Sequence, residues 1–275
     1  MHTDPKNRRA PQITKLGGTE GGAYESVAVD NRITHRPIFY VSEDDDTGAL
    51  RRYTPPILIS NVTGAAIVNW ETLTADGGTT EYLAFLDDSR FEWTTDEQAA
   101  RESQLQYYPN VEGIHYRHRH LLFVSKKLST LFDLNLDGGT YMSYTTKNGI
   151  LPGGGDWNDT PDGILDRGEY MYFTEDGGKT VGVYGVNINT GERYAIFEAH
   201  DDVYKGDETT GLAFSPDGRR MYAAFQDCGC EDSEGGLDYN CGCLLEFRRT
   251  DGYSFDGSTP SLKFHSPERW VGEAV

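Results

Sequence analysis

Apolar and polar residues alternate in short runs along most of the chain. SVAVD, IFYVSE, EGIHY, LLFVS, EYMYF, VGVYGV, GLAF and RMYAAF are rich in Val, Ile, Tyr and Phe. This is the period-two pattern of strands that bury one face. Between the runs stand turns such as EDGG, NTGE and SPDG. Gly and Asp in these turns supply a positive φ or a local side-chain hydrogen bond. The pattern predicts an all-β protein built from short strands.

The runs also repeat as a unit. Tyr24–Tyr53, Val111–Leu136, Gly163–Phe197 and Glu208–Arg249 share one order of parts. An acidic residue precedes an apolar strand, then come a turn, an aromatic-rich strand, an acidic or glycine turn and a third strand. The last two copies start about 46 residues apart, a spacing that suits one blade of a β-propeller. A β-sandwich is the rival, but it gives no reason for the whole order to recur. The expected fold is a β-propeller of four-stranded blades, four to five of them. A propeller domain is expected over residues 21–275, after an N-terminal extension over residues 1–20 whose QITKLGG is an incoming strand. Between Tyr53 and Val111 the order weakens. IVNWETLT and TEYLAFL are expected as strands of an irregular blade. TTDEQAARESQLQYY reads as a short helical insertion capped by Thr95.

Charge narrows the partners. The 275 residues carry 44 acidic and 25 basic side chains, a net charge of −19. A folded polyanion repels phosphate backbones, so nucleic acid is not expected as a partner. There is no run of 18 apolar residues, so no transmembrane helix is expected. The first residues lack the apolar segment of a signal peptide. Nothing in the composition calls for more than a monomer.

Candidate chemistry lies in the acids. Glu25, Glu112 and Glu208 each head the innermost strand of a repeat. Carboxylates brought together from several blades repel one another and must take up a proton or a cation. Calcium suits such an all-oxygen set. Capping a turn or pairing with arginine is the plainer alternative for any one of them. A second set follows the second strands: Glu43 with Asp44, and Glu175 with Asp176. A third is the segment Asn158–Glu169, where Asn158, Thr160, Asp162, Gly163, Leu165, Asp166 and Glu169 follow a twelve-residue calcium-loop spacing. Its alternative is a plain acidic loop.

The four cysteines form two CGC pairs, Cys228 with Cys230 and Cys241 with Cys243, around EDSEGGLDYN. Disulfides, a Cys₄ zinc knot and free thiols are all open to them, and each ties or marks one loop. Disulfides would imply an oxidising, extracytoplasmic compartment. In GIHYRHRHLL, alternation puts His118 and His120 on one face and Arg117 and Arg119 on the other, an exposed basic patch with a phosphate-binding role as its alternative. No P-loop, G-x-S-x-G or HExxH motif occurs, so ordinary NTPase and nucleophilic-hydrolase chemistry has no support.

Three segments, in order, resemble blades of the PhoX-type alkaline phosphatase family. They are GAYESVAVD with IFYVSEDD and LRRYTP, VEGIHY with LLFVSKK, and ETTGLAFSPDGRRMYAAFQD. The resemblance implies a six-bladed propeller, of which this chain is an incomplete, C-terminal portion. It implies a calcium and iron (Fe³⁺) cluster that hydrolyses small-molecule phosphate esters outside the cytoplasm, with Glu25, Glu112 and Glu208 as metal ligands. The family's early motif, a Cys beside Glu-Glu after Trp-Gly, has no counterpart in this sequence. Two other readings stand beside it: a non-catalytic, calcium-stabilised binding propeller, and a lactonase-like propeller hydrolase.

Overall fold

A computed structural model of the chain describes residues 2–4, 9–18, 22–67, 71–146, 160–176, 182–190, 193–198, 208–226, 230–231, 237–238 and 242–257. The described chain is almost wholly β. At its start β1 (His2–Asp4) and β2 (Arg9–Gln12) pair antiparallel. The expected strand over QITKLGG therefore keeps only Gln12, and Ile13 is exposed.

The first repeat forms an antiparallel meander of five strands: β3 (Tyr24–Asp30), β4 (Ile38–Glu43), β5 (Arg51–Thr54), β6 (Thr79–Phe85) and β7 (Phe91–Thr94). TEYLAFL thus supplies the fourth strand of this sheet rather than a blade of its own. Part of IVNWETLT is a helical turn, α1 (Glu71–Thr74). The cross-strand pair Arg52↔Glu81 fixes β6 on β5, with two guanidinium–carboxylate hydrogen bonds of 2.9 and 3.0 Å. The helical insertion is α2 (Glu97–Tyr107). Its cap is Asp96, whose carboxylate accepts from Ala99 N at 3.1 Å, and not Thr95. Aspartate at this position accepts from the open first-turn amides and adds a favourable charge at the helix start.

The second sheet runs in the order β8 (Val111–Arg117), β9 (His120–Ser125), β10 (Thr130–Asn135) and β11 (Thr140–Thr145). The third contains β12 (Thr160–Arg167), β13 (Tyr170–Asp176), β14 (Gly182–Asn187) and β15 (Arg193–Glu198). The fourth has β16 (Glu208–Phe214) and β17 (Arg220–Gln226). A short hairpin, β18 (Cys230–Glu231) with β19 (Leu237–Asp238), follows them, and β20 (Cys243–Arg248) then returns beside β17. Among the described residues one register pair, Asp176↔Glu208, joins the third and fourth sheets into a continuous seven-stranded sheet.

The chain divides into two compact units, Met1–Leu122 with Asp133–Met142, and Phe123–Phe132 with Ser143–Val275. The core of the first holds Tyr40, Leu50, Leu83, Tyr108 and Val111, all fully buried. The second centres on Tyr172, Val183, Met221, Phe225 and Phe255. Phe255 follows β20 and is held by its backbone: its N–H donates to Gly218 O at 2.8 Å, and its carbonyl accepts from the Tyr172 hydroxyl. The SPDG turn works as its residues predict. Asp217 accepts from Ser215 Oγ and Arg219 N, and Gly218 takes φ +67°.

Period-two alternation survives on β16 and β20 but fails on β13 and β14, where almost every residue is buried. Strands covered on both faces have no solvent side to keep polar.

Candidate metal centre

The strand-heading acids sit on a repeated irregularity. In β3 the register slips between Tyr24 and Val27, so Glu25 and Ser26 face the single residue Ser42. In β12 it slips between Pro161 and Ile164, so Asp162 and Gly163 face Thr174. In β16 it slips between Thr209 and Leu212, so Thr210 and Gly211 face Ala224. Each is a two-against-one β-bulge, which bends the strand and re-aims its side chains. The partner strand's hydroxyl satisfies the displaced amide: Ser26 N donates to Ser42 Oγ at 2.9 Å, and Gly163 N to Thr174 Oγ1 at 2.7 Å.

This register revises the sequence reading in two places. The residue that matches Glu25 in the third sheet is Asp162, which the spacing assigned to a calcium loop. In the fourth sheet it is Thr210; Glu208 lies two residues earlier, opposite Asp176. The signal for Asp162 was present. D-G-I in Asp162–Ile164 copies E-G-I in Glu112–Ile114. The twelve-residue loop does not form over its described part, because Thr160–Arg167 is a strand paired along β13. Asp162 and Asp166 stand four residues apart on it, about 13 Å, too far to wrap one ion. Glu169 lies in the turn beyond, and Asn158 is outside the described residues.

In the first unit β3 lies beside β8, which carries Glu112. Glu25 and Glu112 each bring a carboxylate oxygen within 4.8 Å of the other's. Glu112 is 3% exposed, whereas Glu25 reaches solvent. Two ligands across one calcium ion stand about 5 Å apart at most, so this pair fits a shared oxygen-coordinated cation. Residues 1–122 contain no cysteine, so this stretch offers a cation no thiolate.

Glu43 has a different partner. Arg51 Nη2 donates to its Oε2 at 3.0 Å, and both side chains are buried. Arg51 also donates to Gly17 O at 3.1 Å and stands over the rings of Tyr24 and Tyr82, at 5.0 and 5.5 Å. Burial still pushes the Glu43 carboxyl above the usual carboxylate range, against the pull of Arg51. The acidic turn after it is folded tightly. Asp45 accepts from Thr47 N and Oγ1, which lowers its pKa. Asp44 accepts from Asn110 Nδ2. Helix α2 braces the turn: Gln104 donates to Asp45 O at 2.8 Å and accepts from Leu50 N at 3.0 Å, while Arg101 donates to Thr47 O at 2.6 Å. No sequence motif marks Gln104 or Arg101, because their partners lie more than fifty residues away.

In the second unit Glu175 is fully buried at the end of β13. Its backbone is clamped by Thr209, whose Oγ1 accepts from Glu175 N at 2.9 Å. The register residue that matches Arg51 is Tyr184. Asp176 pairs with Lys126. Of the cysteines, Cys230 opens β18 and Cys243 opens β20 opposite Phe225; Cys228 and Cys241 lie outside the described residues. His118 and Arg119 have φ +46° and +70° and form the β8–β9 turn, so strand alternation does not govern them. The neighbouring His120 Nδ1 lies 2.6 Å from Asp133 Oδ1.

No family model matches this chain, and no curated protein does. Solved structures do. The chain is similar to Pseudomonas fluorescens PhoX in complex with vanadate, a transition-state analogue, with a TM-score of 0.60 and 14% identity over 88% of this chain. It spans 55% of that protein's length. A nidogen/laminin complex matches with a TM-score of 0.45 and 13% identity, over 82% of this chain and 65% of that one. A streptogramin B lyase matches at 0.38 and 14%, over 86% and 72%. At these identities the likeness to PhoX shows the fold, and with the antiparallel sheets above it makes this chain a β-propeller.

Proposed function

We propose that the chain is a metal-binding β-propeller that holds calcium through Glu25 and Glu112, and that it acts on small-molecule phosphate esters. The observation that carries the metal reading is the approach of these two carboxylates on neighbouring inner strands. The phosphate reading rests on the likeness to the vanadate-bound PhoX structure, together with the ordered segments that resemble that family. A bound cation would supply Lewis acidity toward a phosphoryl oxygen. The protein's own part is to fix the carboxylates. The bulge holds Glu25 through the Ser26–Ser42 hydrogen bond, and burial holds Glu112. Asp162, Glu175 and Glu208 are the acids of the second unit proposed for metal binding. Glu43 is the weakest of the set, because Arg51 already neutralises it.

The alternative is a calcium-stabilised propeller without catalysis, which the Glu25–Glu112 pair alone would serve. The domain is taken as residues 21–275, monomeric and extracytoplasmic, with the CGC pairs as disulfides rather than a zinc site.

Elemental analysis of protein equilibrated with calcium and iron, beside p-nitrophenyl phosphate hydrolysis, tests both parts. Bound calcium that falls in Glu112→Gln supports the site, and no bound metal in either protein overturns it. Metal binding without hydrolysis selects the non-catalytic reading.

A further inference from the structure

A second site stands at the opposite ends of the same two strands. The β3–β4 turn carries Arg32 and Arg36, and the β8–β9 turn carries Arg119. With Asp30 and Asp137 these residues line a cleft of about 360 Å³, walled on its apolar side by Ile33 and Ile38. Asp30 and Glu25 are five residues apart on β3, so the cleft lies about 17 Å from the carboxylate pair.

The charge here departs from the rest of the molecule. Three arginines against two aspartates leave a net positive lining, in a chain whose total charge is −19. Arg32 is held rigidly. Its Nε and Nη2 donate to the buried Asp30 carboxylate at 2.7 to 3.1 Å, and its guanidinium stands 5.7 Å over the Tyr116 ring. Its Nη1 makes no hydrogen bond among the described residues. Among the described residues Arg119 uses only Nη1, on Asp137. Arg36 makes no side-chain hydrogen bond or ion pair among the described residues; its backbone N–H donates to Ile33 O at 2.8 Å. Each guanidinium has five N–H donors, so most of the donors around the cleft are open.

We infer that this cleft binds a phosphate-class oxyanion, inorganic phosphate or the phosphoryl group of a small phosphomonoester, independently of the metal centre. Guanidinium groups pair with such oxyanions through parallel charge-assisted hydrogen bonds. Three of them outnumber the two oxygens of a carboxylate and suit the several oxygens of a tetrahedral anion. Asp30 and Asp137 serve to aim Arg32 and Arg119 rather than to repel the ligand, since each is already engaged by its arginine. The two isoleucines accommodate the organic part of an ester.

The test is isothermal titration of the full chain with inorganic phosphate, a phosphomonoester and succinate, all with chelator present so that divalent cations are absent. Saturable phosphate or ester binding, tighter than that of succinate, is expected. Arg36→Gln should weaken it about tenfold or more, and Arg36→Gln with Arg119→Gln should abolish it. Arg90→Gln, an exposed arginine elsewhere, should leave it unchanged. Whether ester or inorganic phosphate binds more tightly separates the two sources of the anion. The inference is overturned by the absence of saturable binding, by equal binding in Arg36→Gln, by succinate binding as well as phosphate, or by phosphate binding that appears only once calcium is added, which would place the anion at the metal centre.

Discussion

Replacing Arg51 with methionine is the sharpest test of how the first sheet carries its acids. Methionine keeps the apolar stem and removes the guanidinium. Glu43 is then left buried, at 8% exposure, without the cation 3.0 Å away. Breaking a buried pair from one side costs about 3–5 kcal/mol. The lost contacts with Tyr24 and Tyr82 add about 0.5–1 kcal/mol each. In urea the midpoint should fall by roughly 1–2 M. The pH dependence carries the diagnosis. Burial raises the folded pKa of Glu43 above its unfolded value. The folded state therefore binds more protons, and the contribution of Glu43 is fully present below the unfolded pKa and lost as pH rises through the folded one. Removing Arg51 takes away the main force that lowers this pKa, so the variant's window extends further upward. The loss measured at about pH 4.5 should be smaller than that at about pH 8, because more of the unpaired, buried carboxyl must be charged at the higher pH. Adding Glu43→Gln should restore most of the stability at pH 8. Urea titrations at the two pH values measure this. An equal loss at both, or no rescue by Glu43→Gln, would refute the reasoning.

Four further outcomes are expected. Gln104→Ala strands the amide of Leu50 and opens a cavity beside fully buried neighbours, and should cost about 2–4 kcal/mol in the same denaturant assay. Gly168→Ala puts a side chain at φ +63° and against the carbonyl of Asp256, and should cost about 1–3 kcal/mol with the same sheet signature by circular dichroism. Calcium should raise the melting temperature of the wild type and chelator should reverse this; in Glu112→Gln the shift should shrink, and an unchanged shift would move the ion elsewhere. If the CGC pairs are disulfides, thiol titration of the unreduced, unfolded protein should find no reactive cysteine, and reduction should lower the melting temperature.

Much of the fold was legible because its causes are local. Alternating Val, Ile, Tyr and Phe, turns such as SPDG, and a repeated order of parts are read within a few residues, and they place twelve or more strands without reference to distant chain. Helix α2 was legible for the same reason, although its cap shifted from Thr95 to Asp96, where a carboxylate reached the open amide better. The acids at Glu25 and Glu112 were also legible as strand heads. What the sequence could not decide was which acid faces what. A bulge moves one residue out of register, and only pairing with the neighbouring strand fixes where it falls. That is why Asp162 proved the counterpart of Glu25 and Glu208 did not. The partner of Glu43, the Gln104 brace behind the acidic turn, and the gathering of Arg32, Arg36 and Arg119 at one cleft all join residues far apart in the chain. Local pattern determined the strands, and tertiary packing alone determined which charges meet, because charges act through space and not along the backbone.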